Sequence, residues 1–576
     1  MPGTTAGGVP EAVPLSVIQE AEGFSNGEAS AEALKTTPES LNCKECRSVS
    51  KSPRCCGGCW QVWYCSRAHQ VAAWPKHQRE CKPFKISQNA EMGRFLVATR
   101  DISLGELLLE DPVLTMGPKT ITEAVCLACY RPVDGSFSCP DCGFPMCDRD
   151  CSSAEAHVPE CKAVQDSGIK VKVSVFGEIN CMYECIMPVR ILALRDSSPN
   201  VWRKLMGLES NAEQRESTEV AAITQRTVVD IIHNRLCLEY SEELINQILG
   251  IIDTNAFEIR LPDSSIMGVY ATGSLLEHSC IPNTHRTFDA DLNLVVRAAF
   301  DIKRGQHLMS CYTESISTTA TRQEHLLTSK FFTCKCVRCL DPTELGTFTS
   351  AMICPSCTKN KPKVAKKTDK KKGEKSTGKE EEVDLTTYGV VVPKDPSSPS
   401  SPWECLTCKS PLDADYVTRM TSVMTEEAEE LENSNQSVKN CEAFLDKWSS
   451  MYHQNHAVLL NIKYALVHLY GSEKGYTLHD MSPVELLRKE SIARQILKVA
   501  DIICPVFYKA CSMFQSGIIP NEMAKKLAQE AYECLLECAK VLSFEPPVQP
   551  EGQLGIEAKE ELRNMIKWIK EEGWRG

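Results

Sequence analysis

Apolar residues three and four positions apart dominate two long stretches of the chain and predict helices in both. Between residues 163 and 250, Val228, Ile231, Ile232 and Leu236 recur at helical spacing and are expected in a core. The same period returns from about residue 412 onward. There Ser482-Pro483-Val484-Glu485 reads as a capping box with proline at the first helical position, opening a helix that carries Leu486, Ile492, Ile496 and Val499 on one side. Pro520-Asn521 precedes a further helix in which Leu527, Ala531, Leu535, Cys538 and Leu542 fall three to four apart. Two polar stretches interrupt the pattern. Residues 1–40 are poor in aromatics and rich in Ala, Glu, Ser, Thr and Gly, and KPKVAKKTDKKKGEKSTGKEEE is a lysine run followed by acid. Neither can bury enough apolar surface to repay ordering, so both are expected to be disordered. The lysine run is read as a solvated loop, with a nuclear-localisation or anionic-partner patch as its functional alternative.

No apolar run approaches the roughly 18 residues of a bilayer span, and the N-terminus lacks a signal pattern, so no membrane association and a cytoplasmic and/or nuclear location are expected. At 42% hydrophobic and 24% charged, 576 residues make an ordinary globular composition with room for three or four domains. The net charge of −12 argues against direct, sequence-independent binding to nucleic acid. The count of 31 cysteines is the outlier. In a reducing compartment such cysteines serve as metal ligands more often than as cross-links.

Their spacing bears this out. The first block runs Cys43-x2-Cys46, Cys56-x2-Cys59, Cys65-x3-His69 and His77-x3-Cys81; Cys56 rather than Cys55 has the CxxC partner. Eight ligands in four pairs make two tetrahedral zinc sites, because each local pair supplies half a site and chain reversal must bring the other half. The second block repeats the order as Cys126-x2-Cys129, Cys139-x2-Cys142, Cys147-x3-Cys151 and His157-x3-Cys161. A third group, Cys334, Cys336 and Cys339, has no local fourth ligand, so a distant cysteine must close it. Cys354-x2-Cys357 and Cys405-x2-Cys408 can form one ribbon-like site across the loop that holds the lysine run. About six zinc ions are expected in all, as closed structural staples without an open catalytic position. The remaining cysteines, including Cys181, Cys311, Cys504 and Cys534, are expected to be ordinary buried thiols.

Several segments, in order, resemble the SET and MYND domain (SMYD) lysine methyltransferase family, most closely its divergent arthropod branch. The first block, with Trp63 and Tyr64 ahead of Cys65, resembles the MYND finger; MGRFLVATRDISLGELLLEDP (Met92 to Pro112) resembles the opening SET hairpin, and TNAFEI (Thr254 to Ile259) the NxF segment. GVYATGSLLEHSCIPN (Gly268 to Asn283) resembles the NHSCxPN motif, RAAFDIKRGQHLMSCY (Arg297 to Tyr312) the strand ending in the catalytic tyrosine, and FFTCKCVRC the post-SET knuckle. The resemblance covers about residues 41 to 345 and implies an α+β multidomain chain. Its expected parts are a disordered tail (1–40), a MYND zinc finger (41–82), a first SET part (88–115), a second MYND-like cluster (126–161) and a helical SET insertion (163–250). A second SET part (251–313), the post-SET knuckle (330–341), a zinc-ribbon-like insertion (350–410) and a helical, tetratricopeptide-like C-terminal domain (412–576) follow.

By that resemblance one zinc takes Cys43, Cys46, Cys65 and His69 and another Cys56, Cys59, His77 and Cys81. The second block pairs alike, with Cys126, Cys129, Cys147 and Cys151 on one ion and Cys139, Cys142, His157 and Cys161 on the other. Cys280 joins Cys334, Cys336 and Cys339. The implied reaction is methyl transfer from S-adenosylmethionine to a protein lysine, with Tyr312 as the catalytic residue. The implied cofactor contacts are Gly93, Arg94, Phe95, Asn255, Glu277, His278, Tyr312 and Phe332. Two positions depart from the family pattern: Phe95 stands at the second glycine of G-x-G, with strain expected if its φ is positive, and Glu277 replaces the asparagine of the Asn-His pair. The finger also precedes the hairpin, and the second block fills the place the finger usually occupies. A proline-rich peptide partner at the finger and a monomeric state are expected. A catalytically weak or inactive scaffold is the alternative reading.

Overall fold

A computed structural model describes residues 42–48, 54–56, 62–81, 83–261, 263–359, 389–434, 436–477, 480–503, 536, 542 and 550–571. The N-terminal tail, Cys59, the lysine run, Cys504, Cys534 and the helix expected after Pro520, Leu536 and Leu542 excepted, lie outside the described residues. The chain divides into two compact units, Met1–Cys81 and Lys82–Gly576.

In the first unit the strands Arg54–Cys55 and Trp63–Tyr64 pair antiparallel, followed by the helix Arg67–Glu80. Ser66 caps that helix, its hydroxyl accepting from the His69 N–H at 3.2 Å. Among the described residues the buried apolar set is small, Cys43, Cys56, Tyr64, Ala73 and Cys81, with His77 buried beside it. Metal ligands thus replace most of what an apolar core would supply.

The second unit opens with the hairpin Phe84–Asn89 and Gly93–Ala98, which starts ahead of residue 88. Gly93 closes its turn at φ +67°, a conformation glycine adopts without strain. Leu107–Asp111 then joins Leu294–Ala298 and Thr284–Phe288 in one three-stranded sheet. Val113–Pro118, running past residue 115, pairs with Ser265–Tyr270, which also pairs with Phe257–Arg260. A short parallel pair, Glu277–His278 with Met309–Ser310, ties the two late segments together. Leu96, Ile102, Tyr270, Leu294 and Val296 fill the core of these strands.

Helices cover residues 186–255, so the insertion continues to Asn255 rather than stopping at 250. Val228, Ile231, Ile232 and Leu236 are all buried, but Ile231–Arg235 forms a π-helical turn rather than continuing the α-helix. Cys126, Cys139, Cys142 and Cys161 share one core with Tyr183, Ile186, Val189 and Ile252 of this layer. Farther along, Met352–Ile353, Val390–Pro393, Trp403–Cys405 and Pro411–Leu412 make a four-stranded ribbon whose Cys354, Cys357 and Cys405 pack in one core with the helices beyond it. Those helices are Ala414–Ser434, Val438–Trp448, Ala457–Ser472 and Pro483–Ile503, and a later helix runs Pro550–Glu571. The capping box closes as the sequence suggests: the Ser482 N–H donates to Glu485 Oε2 at 2.6 Å and the Glu485 N–H returns to Ser482 Oγ at 3.4 Å. Ile492, Ile496 and Val499 are buried on that helix, whereas Leu486 is only partly so. None of the described helices is long and apolar enough to cross a membrane.

Candidate active site and metal centres

Five four-residue sets bring their ligand atoms within 4.8 Å of one another: Cys43, Cys46, Cys65, His69; Cys126, Cys129, Cys147, Cys151; Cys139, Cys142, His157, Cys161; Cys280, Cys334, Cys336, Cys339; and Cys354, Cys357, Cys405, Cys408. Of the sixth, Cys56 Sγ lies 3.2 Å from His77 Nε2 and 3.8 Å from Cys81 Sγ. A tetrahedral ion with Zn–S of about 2.3 Å requires S···S edges of about 3.8 Å. The measured edges span 3.4 to 4.0 Å across the sets. That is far beyond a disulfide bond and fits four donors around one zinc. Among the cysteines expected to be buried outside these sets, Cys181 is exposed and Cys311 only partly buried. Cys181 begins a short 3-10 turn ahead of the buried helix Ile186–Ser197, and its apolar sequence neighbours, not Cys181 itself, enter the core.

Sequence spacing did not reveal the charged residues behind the ligands. His157 presents Nε2 to Cys142 Sγ at 3.4 Å while Nδ1 meets Glu160 Oε1 at 2.9 Å. Arg190 donates to both oxygens of Glu160, at 2.7 and 2.6 Å, and also to the Met116 and Leu127 carbonyls and the Tyr130 hydroxyl. Burial alone would raise the Glu160 carboxyl, but Arg190 and His157 hold it below the usual range. Such a carboxylate fixes the tautomer and orientation of a ligating imidazole. The one legible signal is a lone arginine inside the apolar run CIMPVRILAL. The knuckle has a counterpart: Arg322 Nε donates to Cys280 Sγ at 3.2 Å, and Arg322 and Arg338 both reach the buried Glu344 at 3.0 and 3.1 Å. An excess of thiolate charge is thereby balanced inside the fold.

Tyr312 follows the strand Met309–Ser310, whose parallel pairing sets it beside His278. The Tyr312 N–H donates to His278 Nδ1 at 3.0 Å, and His278 Nε2 lies 3.3 Å from Cys280 Sγ. With Nδ1 accepting, Nε2 carries the proton toward the cysteine cluster. Burial lowers the imidazole to about 4, which keeps it neutral. The Tyr312 hydroxyl donates to the Leu276 carbonyl, and burial pushes the phenol above its ordinary value, so it remains a hydroxyl. The Phe332 ring lies 5.9 Å from that of His278. Asn255, 7% exposed, spends its amide N–H groups on the Glu209 and Ile251 carbonyls. Gly93 has no atom within 4 Å of where a Cβ would stand, which leaves the open face a close ligand approach needs. Arg94 donates to the Gly207 carbonyl at 2.5 Å.

The two departures from the family pattern meet at His307. Phe95 is buried in ordinary strand backbone, so the strain tied to a positive φ does not arise. Its ring stacks on His307 at 4.5 Å, and His307 Nδ1 touches Glu277 Oε2 at 2.5 Å. The Glu277 carboxylate therefore faces the His307 ring.

A cleft of about 750 Å³ is lined by Asn255, Tyr312, Asp253, Thr254, Arg286 and Lys330, among others; Gly93 to Phe95 do not line it. Tyr312 thus stands between this cleft on one side and the Glu277–His278 segment and Phe332 on the other.

Short strands that converge on a tyrosine, with a cysteine cluster locking the adjoining segment, define a SET-type fold, and a zinc finger precedes it in the sequence. The MYND finger family model matches residues 43–81 and the SET domain model residues 93–313. The SET domain-containing protein SmydA-8, isoform A, of Drosophila melanogaster is 26% identical over 342 residues, 58% of this chain and 66% of that relative. Histone-lysine N-methyltransferase SMYD3 of Homo sapiens is 27% identical over 278 residues, 45% of this chain and 62% of that relative. The matched lengths are thus under two thirds of either relative. A solved SET domain of LSMT bound to lysine and AdoHcy covers 83% of this chain and 94% of that chain at 12% identity, with a TM-score of 0.27 that carries no weight here. The chain thus carries a MYND finger match ahead of a SET domain match and is similar in sequence to SmydA-8 and SMYD3.

Proposed function

We propose that the protein is an S-adenosylmethionine-dependent protein-lysine N-methyltransferase. The observation that supports this best is the setting of Tyr312, a neutral buried hydroxyl fixed by the Leu276 carbonyl at the wall of the cleft. Gly93, Arg94, Phe95, Asn255, Glu277, His278 and Phe332 would hold S-adenosylmethionine, which supplies a methyl group on a sulfonium for in-line displacement by an amine. A lysine with a pKa of about 10.4 must lose its proton before it can attack, and a desolvating cleft favours that loss without a dedicated base. Tyr312 keeps its proton on Leu276 and so directs oxygen lone pairs, which accept weak C–H···O contacts. Alignment rather than acid–base chemistry is then the chain's main contribution. Six zinc ions, one per cysteine set, act as staples. A monomer in the cytoplasm and/or nucleus, with a proline-rich peptide at the MYND finger and no direct nucleic-acid partner, completes the reading; the net charge of −12 suits basic, lysine-bearing substrates.

Calorimetric titration of the zinc-loaded chain with S-adenosylmethionine is the first test, and radiolabelled transfer to a cell extract the second. Tyr312→Phe is expected to lower transfer by roughly 10²-fold, the scale of a lost alignment contact; equal labelling would remove Tyr312 from its role. The Phe95–His307–Glu277 contact favours a second reading, an inactive scaffold, and no binding at millimolar cofactor would select it.

A further inference from the structure

The cleft beside Tyr312 already contains an amine. Lys330 is the last residue of the helix Thr319–Lys330, and the next residue, Phe331, turns the chain at φ +61° toward the knuckle. Instead of extending into solvent, the Lys330 ammonium donates to the carbonyls of Asp253 and Thr254 at 2.6 and 3.0 Å and lies 5.9 Å from the centre of the Tyr312 ring. Those carbonyls end the helix Glu242–Asn255, where the helix dipole is negative. Aromatic face, paired carbonyls and dipole are together what an alkylammonium group seeks. A second cation, Arg286, lines the same cleft and donates to Ser310 Oγ and the Cys311 carbonyl, each at 3.2 Å.

We infer that Lys330 fills, from within the chain, an alkylammonium site beside Tyr312 that a foreign lysine enters only by displacing it. The inference rests on the methyltransferase reading for its meaning, since that reading makes the arriving group a lysine. Burial draws Lys330 down to about 8, against the pull of Asp253 and with that of Arg286, so this amine gives up its proton more readily than an exposed one. A helix-capping role alone would account for the two carbonyl bonds but gives no reason for the site to accept another amine once Lys330 is gone. Self-occupancy predicts that it will.

The probe is n-butylammonium, a lysine side-chain mimic, titrated calorimetrically into the zinc-loaded full chain without S-adenosylmethionine. Lys330→Ala and Lys330→Met are expected to bind it at least tenfold more tightly than the wild type; equal affinity, with or without a fall in melting temperature, overturns the inference. Should both variants fail to fold, brief acetylation of the wild type decides. A quaternary alkylammonium, which is not itself acetylated, should raise the labelling of Lys330 at least tenfold by displacing it and leave that of the exposed Lys335 unchanged; an unchanged Lys330 rate overturns the inference. If Lys330→Ala binds the amine yet the chain never transfers methyl, self-occupancy stands and the methyltransferase reading falls. If wild type and variant bind the amine equally while transferring methyl at the same rate, the reverse holds.

Discussion

Cys43–Cys81 and Cys126–Cys161 space eight ligands in the same order, yet the residues between the ligands put them to different uses. The first block is a unit of its own, with five buried apolar residues among those described. The second has lost independence. Four of its cysteines pack in one core with Tyr183, Ile186, Val189 and Ile252, and the pair Glu160–Arg190 links its His157 to the strand Val113–Pro118 through the Met116 carbonyl. Spacing therefore specifies coordination, whereas the partners of the ligands decide whether a cluster is a detachable module or a keystone of the larger unit.

The largest effect expected of that contrast lies at Arg190. Arg190→Met leaves Glu160, at 1% exposure, with the His157 contact but without its arginine and strips hydrogen bonds from two carbonyls and Tyr130. Breaking a buried pair on one side costs roughly 3–5 kcal/mol. In the first block Glu45→Gln, at an exposed position between Cys43 and Cys46, should cost less than about 1 kcal/mol, the range of a surface change. Urea unfolding of the full chain, followed by near-ultraviolet circular dichroism, measures both; equal costs would erase the distinction between module and keystone.

Metal removal sharpens the contrast at a smaller scale. Cys139, Cys142, His157 and Cys161 are all buried, whereas Cys46 is exposed and Cys65 partly so. A coloured chelator should take zinc from the first block at least about tenfold faster than from that buried set, because a thiolate must leave the ion before the chelator can enter. Elemental analysis beforehand should give about six zinc ions per chain; one or two would undo the assignment of sites. A single release phase would show that burial does not protect the second block.

These contrasts also mark where sequence reading stops. Ligand pairs are legible because each is local: two or three residues separate the members, and only the pairing of pairs needs the fold. The capping box at Ser482 and the buried face at Val228 to Leu236 are local in the same sense. Glu160 and Arg190 lie 30 residues apart and meet across a helix packing that no periodicity encodes. The Phe95–His307–Glu277 contact joins three segments, so two departures that look separate along the chain form one structural unit. Phe95 looked strained because a glycine is expected there, but the left-handed turn falls on Gly93 alone. Lys330 reads as an ordinary basic residue ending a helix, and only the left-handed Phe331 and the end of a distant helix reveal where it goes.

The smallest expected effect is a ligand exchange that makes the two blocks match. His69→Cys converts Cys65-x3-His69 into the form of Cys147-x3-Cys151. The His69 imidazole Nδ1 lies 2.9 Å from Cys65 Sγ and 3.7 Å from Cys43 Sγ, and a thiolate can complete the same tetrahedron with a bond about 0.2–0.3 Å longer. The helix start survives the exchange, since Ser66 accepts from the backbone N–H of residue 69 and not from its side chain. Zinc content should stay the same and the unfolding midpoint should move by less than about 1 kcal/mol equivalent. Cys151→His should cost more, because Cys151 packs against the shared core and an imidazole must displace apolar neighbours there. Zinc stoichiometry and thermal melts of the two variants decide it: an asymmetry is what a module beside a keystone requires, and identical losses would mean that the shared ligand order, not the packing behind it, governs both blocks.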